Sequence, residues 1–108
     1  MRPVGYIVLT VKIHKEGKKW FAVCEELGTS TFANSFSEAG KRIEEAMILH
    51  LNALEDVGEC NNFFREHNIK FYEHRPKRND LTITGPVALN TYATPYVYPI
   101  HKELLGFR

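Results

Sequence analysis

At 108 residues the chain has the size of one domain, and 44% hydrophobic with 25% charged residues is the balance of a globular protein, which argues against a disordered segment. Fourteen Lys and Arg against 13 Asp and Glu leave a formal net charge of +1, so there is no global attraction to nucleic acid or anionic membrane, and binding of that kind needs a local patch. Two cysteines, Cys24 and Cys60, with no CxxC pair and no histidine at a ligand spacing, argue against a disulfide framework or a structural zinc site.

The chain opens on Tyr6 to Ile13 (YIVLTVKI), rich in β-branched residues and alternating in its second half, as a half-buried strand does. Its apolar run is too short and too alternating for a signal peptide, and no stretch spans a bilayer. Together with the free thiols this predicts a cytoplasmic protein without membrane contact. HKEGKK turns the chain at Gly17, and Trp20 to Cys24 (WFAVC) returns as the second strand of a hairpin. Glu25 to Gly28 make a bend. Thr29 to Ala33 (TSTFA) then reads as a short third strand, with a plain loop as the alternative.

A helix follows. Ser35 or Ser37 can cap it, and Glu38 suits the positive end of its dipole. At about 100° per residue, Ala39, Ile43, Ala46, Met47, His50, Leu54 and Val57 fall on one stripe, with Lys41, Glu45, Asn52 and Asp56 on the other side. Gly58 supplies the left-handed residue that ends a helix. His50, inside the stripe, reads as a core histidine with a hydrogen-bond partner rather than a catalytic or metal-bound one. Ile48 projects among Glu44, Asn52 and Glu55, flanked by Leu49 and Leu51. This is more apolar surface than one sheet face covers, which marks Ile48, Leu49 and Leu51 as candidate partner or subunit contacts.

Beyond the helix, Cys60 to His67 predicts a short helix with Asn68 as its left-handed cap, and Ile69 to Glu73 (IKFYE) a strand within the sheet. His74 to Asp80 is a loop in which Arg75, Lys77 and Arg78 could touch phosphates, although a solvated connector accounts for it as well. Leu81 to Thr84 and Asn90 to Ile100 have strand composition, yet Pro86, Pro95 and Pro99 each remove a ladder donor. They read as edge strands or as an extended arm, with Tyr92, Tyr96 and Tyr98 as further candidate contacts.

The segment Trp20 to Leu54 resembles the HicB-like antitoxin family. Trp20 and then Cys24-Glu25-Glu26-Leu27 stand where that family opens its second strand before Cys-Pro-Glu-Leu, with Glu26 following where Pro usually leads. Ala33-Asn34-Ser35-Phe36-Ser37-Glu38-Ala39 is similar to its Gly-Asp-Thr-x-x-Glu-Ala helix entry. Glu44 to Leu54 resembles its helix pattern, and Glu59 to Ile69 its trailing Glu-x-x-x-Phe-Leu-Arg-Glu-x-Gly-Ile. The resemblance covers residues 6 to 73. It implies an α+β fold of β-β-β-α-β order, a partial RNase H-like sheet with one long helix packed on it over residues 1–73. Residues 74–108 then form an extended C-terminal arm of the same domain. It also implies an antitoxin that binds a HicA-type toxin, a small mRNA-cleaving protein, and masks its catalytic surface. The alternative is a stand-alone homo-oligomer with no toxin partner and an unassigned ligand. Many relatives add a helix-turn-helix or ribbon-helix-helix that binds the operator; residues 74–108 carry four prolines and no pair of amphipathic helices, so neither DNA reader can be built from them.

An enzyme is not expected. RNase H chemistry needs carboxylates converging on two metal ions, beginning in the first strand, and Tyr6 to Ile13 holds no Asp or Glu. No phosphate-cradling glycine loop and no Ser/His/Asp arrangement is present, so no catalytic residue, cofactor or metal is assigned.

Overall fold

In a computed structural model, residues 4–77 and 90–101 are described. They form an antiparallel sheet of five strands with two helices, an α+β fold: β1 (Val4–Glu16), β2 (Lys19–Cys24), β3 (Thr29–Ala33), α1 (Phe36–Asp56), α2 (Cys60–Glu66), β4 (Phe71–Tyr72) and β5 (Thr91–His101). The first hairpin turns at Gly17, whose φ of 59° lies in the left-handed region where a side chain is disfavoured. β3 covers the TSTFA segment that the sequence predicts.

α1 begins at Ser35, whose Oγ accepts a hydrogen bond from the Glu38 backbone N–H at 3.1 Å. It ends in a Schellman motif: the Glu59 N–H donates to the Leu54 carbonyl and the Gly58 N–H to that of Glu55, with Gly58 at φ 71°. Along its stripe Ala39, Ile43 and Met47 are fully buried, His50 and Leu54 are half-buried, and Val57 is 68% exposed. Val57 is thus a correction to the predicted stripe, because as the C-cap it has already left helical geometry.

α2 closes with a second Schellman motif, in which Ile69 N–H donates to the Phe64 carbonyl and Asn68, at φ 56°, donates to that of Arg65. This corrects the strand expected from Ile69 to Glu73. With Ile69 committed to the helix end and buried with Phe64, pairing starts only at Phe71 and β4 is two residues long.

β1 is the spine. β5 runs antiparallel along it from Val4↔His101 to His14↔Thr91. β2 pairs with β1 from Val11↔Cys24 to Glu16↔Lys19, and β4 pairs at Tyr6↔Tyr72 and Ile7↔Phe71. Since β5 overlaps both registers, β2 and β4 must share the opposite edge of β1. Residues 91–101 are therefore the fifth strand of the sheet, not an arm apart from it; Leu81 to Thr84 lie outside the described residues. Alternation shows how the prolines fit. Thr10 turns its N–H and carbonyl toward Glu26 and Glu25 on the β2 side, so the odd-numbered residues of β1 turn theirs toward the even-numbered residues of β5. Pro95 and Pro99 fall opposite Thr10 and Tyr6, where β1 asks for no donor.

Ile7, Leu9, Val11 and Ile13 of β1 point to one face and are at most 3% exposed. With Ala22, Cys24, Ala33 and the buried side of α1 they form the core. α1 lies over β3, β2 and β1. The even-numbered residues of β1 point to the opposite face, where Thr10 and Lys12 are also buried.

Candidate functional site

Strand alternation puts Tyr92, Tyr96, Tyr98 and Ile100 on the helix side of β5, opposite Ile13, Leu9, Ile7 and Gly5. Because α1 sits over the other strands, a groove of about 250 Å³ is left between the C-terminal half of the helix and β5. Ile48, Leu51, Asn52 and Glu55 form its helical wall, and Ile7, Tyr98 and Ile100 its floor, with Cys60 of α2 at one end. The groove is apolar with polar groups at the rim, the composition of a binding cleft.

Of the residues that the sequence singles out for contact, the structure brings Ile48, Leu51 and Tyr98 together here. Tyr96 lies next to Tyr98 along β5, the two rings stacked at 6.2 Å, and packs against the core. Leu49 and Tyr92 are not part of the groove. Leu49 is 69% exposed, while Tyr92, 53% exposed, meets Phe36 edge to face at 5.2 Å toward the other end of β5. Of the basic loop, Arg75 lays its guanidinium 5.9 Å from the centre of the Tyr6 ring, Lys77 is exposed, and Arg78 lies outside the described residues.

Electrostatically the groove resists charge on its floor. Burial pushes the Tyr98 phenol well above the usual tyrosine range, helped by the negative charge of Glu44, and shifts Tyr96 the same way for the same reasons. The Tyr98 hydroxyl is buried and has no hydrogen-bond partner among the described residues. A buried hydroxyl left unpaired costs about 1–3 kcal/mol, so it is a donor in wait of an acceptor. Burial also raises the Cys60 thiol, with Glu55 adding to the effect.

Two residues that the sequence leaves without a contact role matter here, and a third does what the sequence expects of it. Ile100 completes the floor, and the two-residue spacing from Tyr96 and Tyr98 was the signal for it. Glu26 is buried: its Oε1 accepts from the Thr10 N–H at 2.7 Å, and its Oε2 from the Thr10 hydroxyl at 2.9 Å. It fills the β1 edge between β2 and β4. His50 makes the hydrogen bond expected of it, Nδ1 to Thr29 Oγ1 at 3.0 Å, with Phe63 edge-on at 5.4 Å. Among the described residues no three His, Cys, Asp or Glu side chains are grouped to hold a metal ion, and no described helix is long and apolar enough to cross a membrane.

Comparison with protein-family models, with characterised proteins and with solved structures finds no match for this chain.

Proposed function

We propose that this chain is a non-catalytic binding protein of the HicB-like antitoxin type, and that its α1–β5 groove takes a small, basic, mRNA-cleaving toxin. The observation that carries the reading is the groove itself, where Ile48, Leu51 and Tyr98 converge from elements far apart in sequence. Glu44 and Glu55 stand beside that apolar strip, which suits a cationic partner through charge complementarity around a desolvated centre. The β-β-β-α start of the observed order β-β-β-α-α-β-β supports the family reading, since it is the start of the order the sequence resemblance implies.

The test is capture of companions from the native host lysate, native mass determination of the complex, and an RNA-cleavage assay on the released companion. The expected result is a small basic protein in fixed ratio whose cleavage of mRNA stops when the chain is added back. Ile48→Glu should abolish that inhibition while leaving the fold intact. Recovery of the chain alone, as a homo-oligomer, would overturn toxin neutralisation and leave the stand-alone reading, which draws on the exposed Leu49 and Tyr92.

A further inference from the structure

The sheet face turned away from α1 carries a second constellation. The registers His14↔Phe21 and Phe21↔Phe32 set these three side chains abreast across β1, β2 and β3. His14 and Phe21 are stacked at 5.6 Å between ring centres with planes 18° apart, and Phe32 follows at 6.0 Å, tilted by 39°. Phe32 is 52% exposed, and a depression of about 510 Å³ lies over Phe21, Val23, Ser30 and Phe32.

The surroundings are cationic. From Lys12 to Lys19 the hairpin holds four lysines and one glutamate, in a chain whose net charge is only +1. Lys12 is held by Glu25 at 3.0 Å and Lys15 lies over Trp20 on the core side, but Lys19 remains at the ladder, with Lys18 exposed in the adjoining turn. Lys19 Nζ stands 5.7 Å from the centre of the Phe32 ring and donates to Asn34 Oδ1 at 2.7 Å. At the far end of the same face, Arg75 rests over Tyr6. Tyr6 and His14 are eight positions apart on β1, roughly 26 Å at the usual strand rise.

We propose that this face binds single-stranded nucleic acid, its bases stacking on Phe32 and Phe21 and its phosphates meeting Lys18, Lys19 and, further along, Arg75. Aromatic rings on an open sheet surface, bordered by cations, are what unpaired bases and their backbone need. A second copy of this chain is disfavoured on the same face, because two-fold pairing would set the lysines of both copies near one another. Glu16, 3.6 Å from His14, is the one carboxylate of the hairpin at the ladder and opposes a polyanion. This inference goes beyond the antitoxin reading and uses the opposite side of the sheet.

The test is fluorescence anisotropy of the full chain with labelled oligouridylate and oligothymidylate decamers. Binding is expected to weaken about sevenfold between about 50 and 200 mM salt if two phosphates are neutralised. Phe32→Ala should weaken it by about 5- to 150-fold. The double variant Lys18→Glu with Lys19→Glu should remove most of the salt dependence, and Glu16→Gln should tighten binding. Circular dichroism melts check that each variant folds, and Ile48→Glu, on the other face, should bind the decamers unchanged, which separates this inference from the fate of the groove. No binding at about 10⁻⁴ M protein in low salt overturns the proposal. So does binding indifferent to Phe32→Ala, or self-association that Phe32→Ala abolishes without any decamer being bound.

Discussion

The two faces of one sheet are built to different ends, although the same strands make both. On the helix face every inward residue of β1 from Ile7 to Ile13 is at most 3% exposed, and the space is closed by Ile43 and Met47. On the opposite face the same strand offers Tyr6, Val8 and His14 half-buried, while Thr10 and Lys12 are buried but held by the carboxylates of Glu26 and Glu25. The first face excludes water and derives its stability from apolar area. The second keeps its polar atoms paired and leaves aromatic surface available. A side chain's face, more than its residue type, decides what a substitution does.

Core truncation probes this contrast most strongly. Leu9→Ala should lower unfolding free energy by about 2–5 kcal/mol, whereas Phe32→Ala on the other face should cost about 1 kcal/mol or less, both read from urea unfolding. Equal losses would break the distinction between the faces.

Alkaline pH comes next. The groups whose ionisation burial opposes, Cys24, Cys60, Tyr96 and Tyr98, all belong to the helix side. Burial, with smaller contributions from Glu26 and Glu25, pushes the Cys24 thiol from 9.0 to about 11. Above pH 9 the unfolded chain loses this proton first, so the native state is the one that retains it. Stability is therefore level below the unfolded value and falls as pH climbs toward 11, by about 2–3 kcal/mol for this group. Urea midpoints at rising pH should show that decline, and Cys24→Ala should reduce it by this group's share.

A smaller effect is expected at the β1 edge. Glu26→Ala leaves the buried Thr10 N–H without its acceptor and should cost about 1–3 kcal/mol, with Glu26→Gln restoring most of it. Stability unchanged by the alanine would mean that Thr10 finds water instead. The smallest effect has the opposite sign. Tyr98→Phe removes a buried hydroxyl with no partner among the described residues, so it should be neutral or stabilise the free protein by up to about 1 kcal/mol, and weaken binding of a partner that accepts from that hydroxyl. A clear loss of stability in the free chain would show that the hydroxyl is already satisfied.

Where local chemistry sufficed, the elements were legible in the sequence. Gly17, Gly58 and Asn68 mark chain reversals or helix ends because they adopt the left-handed backbone, and Ser35 caps because its hydroxyl reaches a free N–H three residues on. The 3.6-residue spacing located the buried side of α1, and the same pattern exposed Ile48 as a side chain left over. Part of the groove's lining was legible too, Ile48 and Leu51 from the helix pattern and Tyr98 from the strand-like tail, each as a candidate contact. Their convergence did not follow, because residues on a helix and on the last strand carry no local signal of one another.

What the sequence determined by itself is thus the first hairpin, the two helices with their caps and the alternating faces of each strand, since these follow from interactions within a few residues. Only the tertiary structure decided that β5 would pair along β1 from Val4 to His14, that β2 and β4 would share the other edge with Glu26 between them, and that His14, Phe21 and Phe32 would stand abreast. The reason is physical: strand partners are chosen by which pairing buries the most apolar side chains and leaves the fewest backbone groups unsatisfied. Pro95 and Pro99 show the limit of local reading. In the sequence they weaken a strand, and in the sheet they fall where β1 needs no donor, so the strand runs through both.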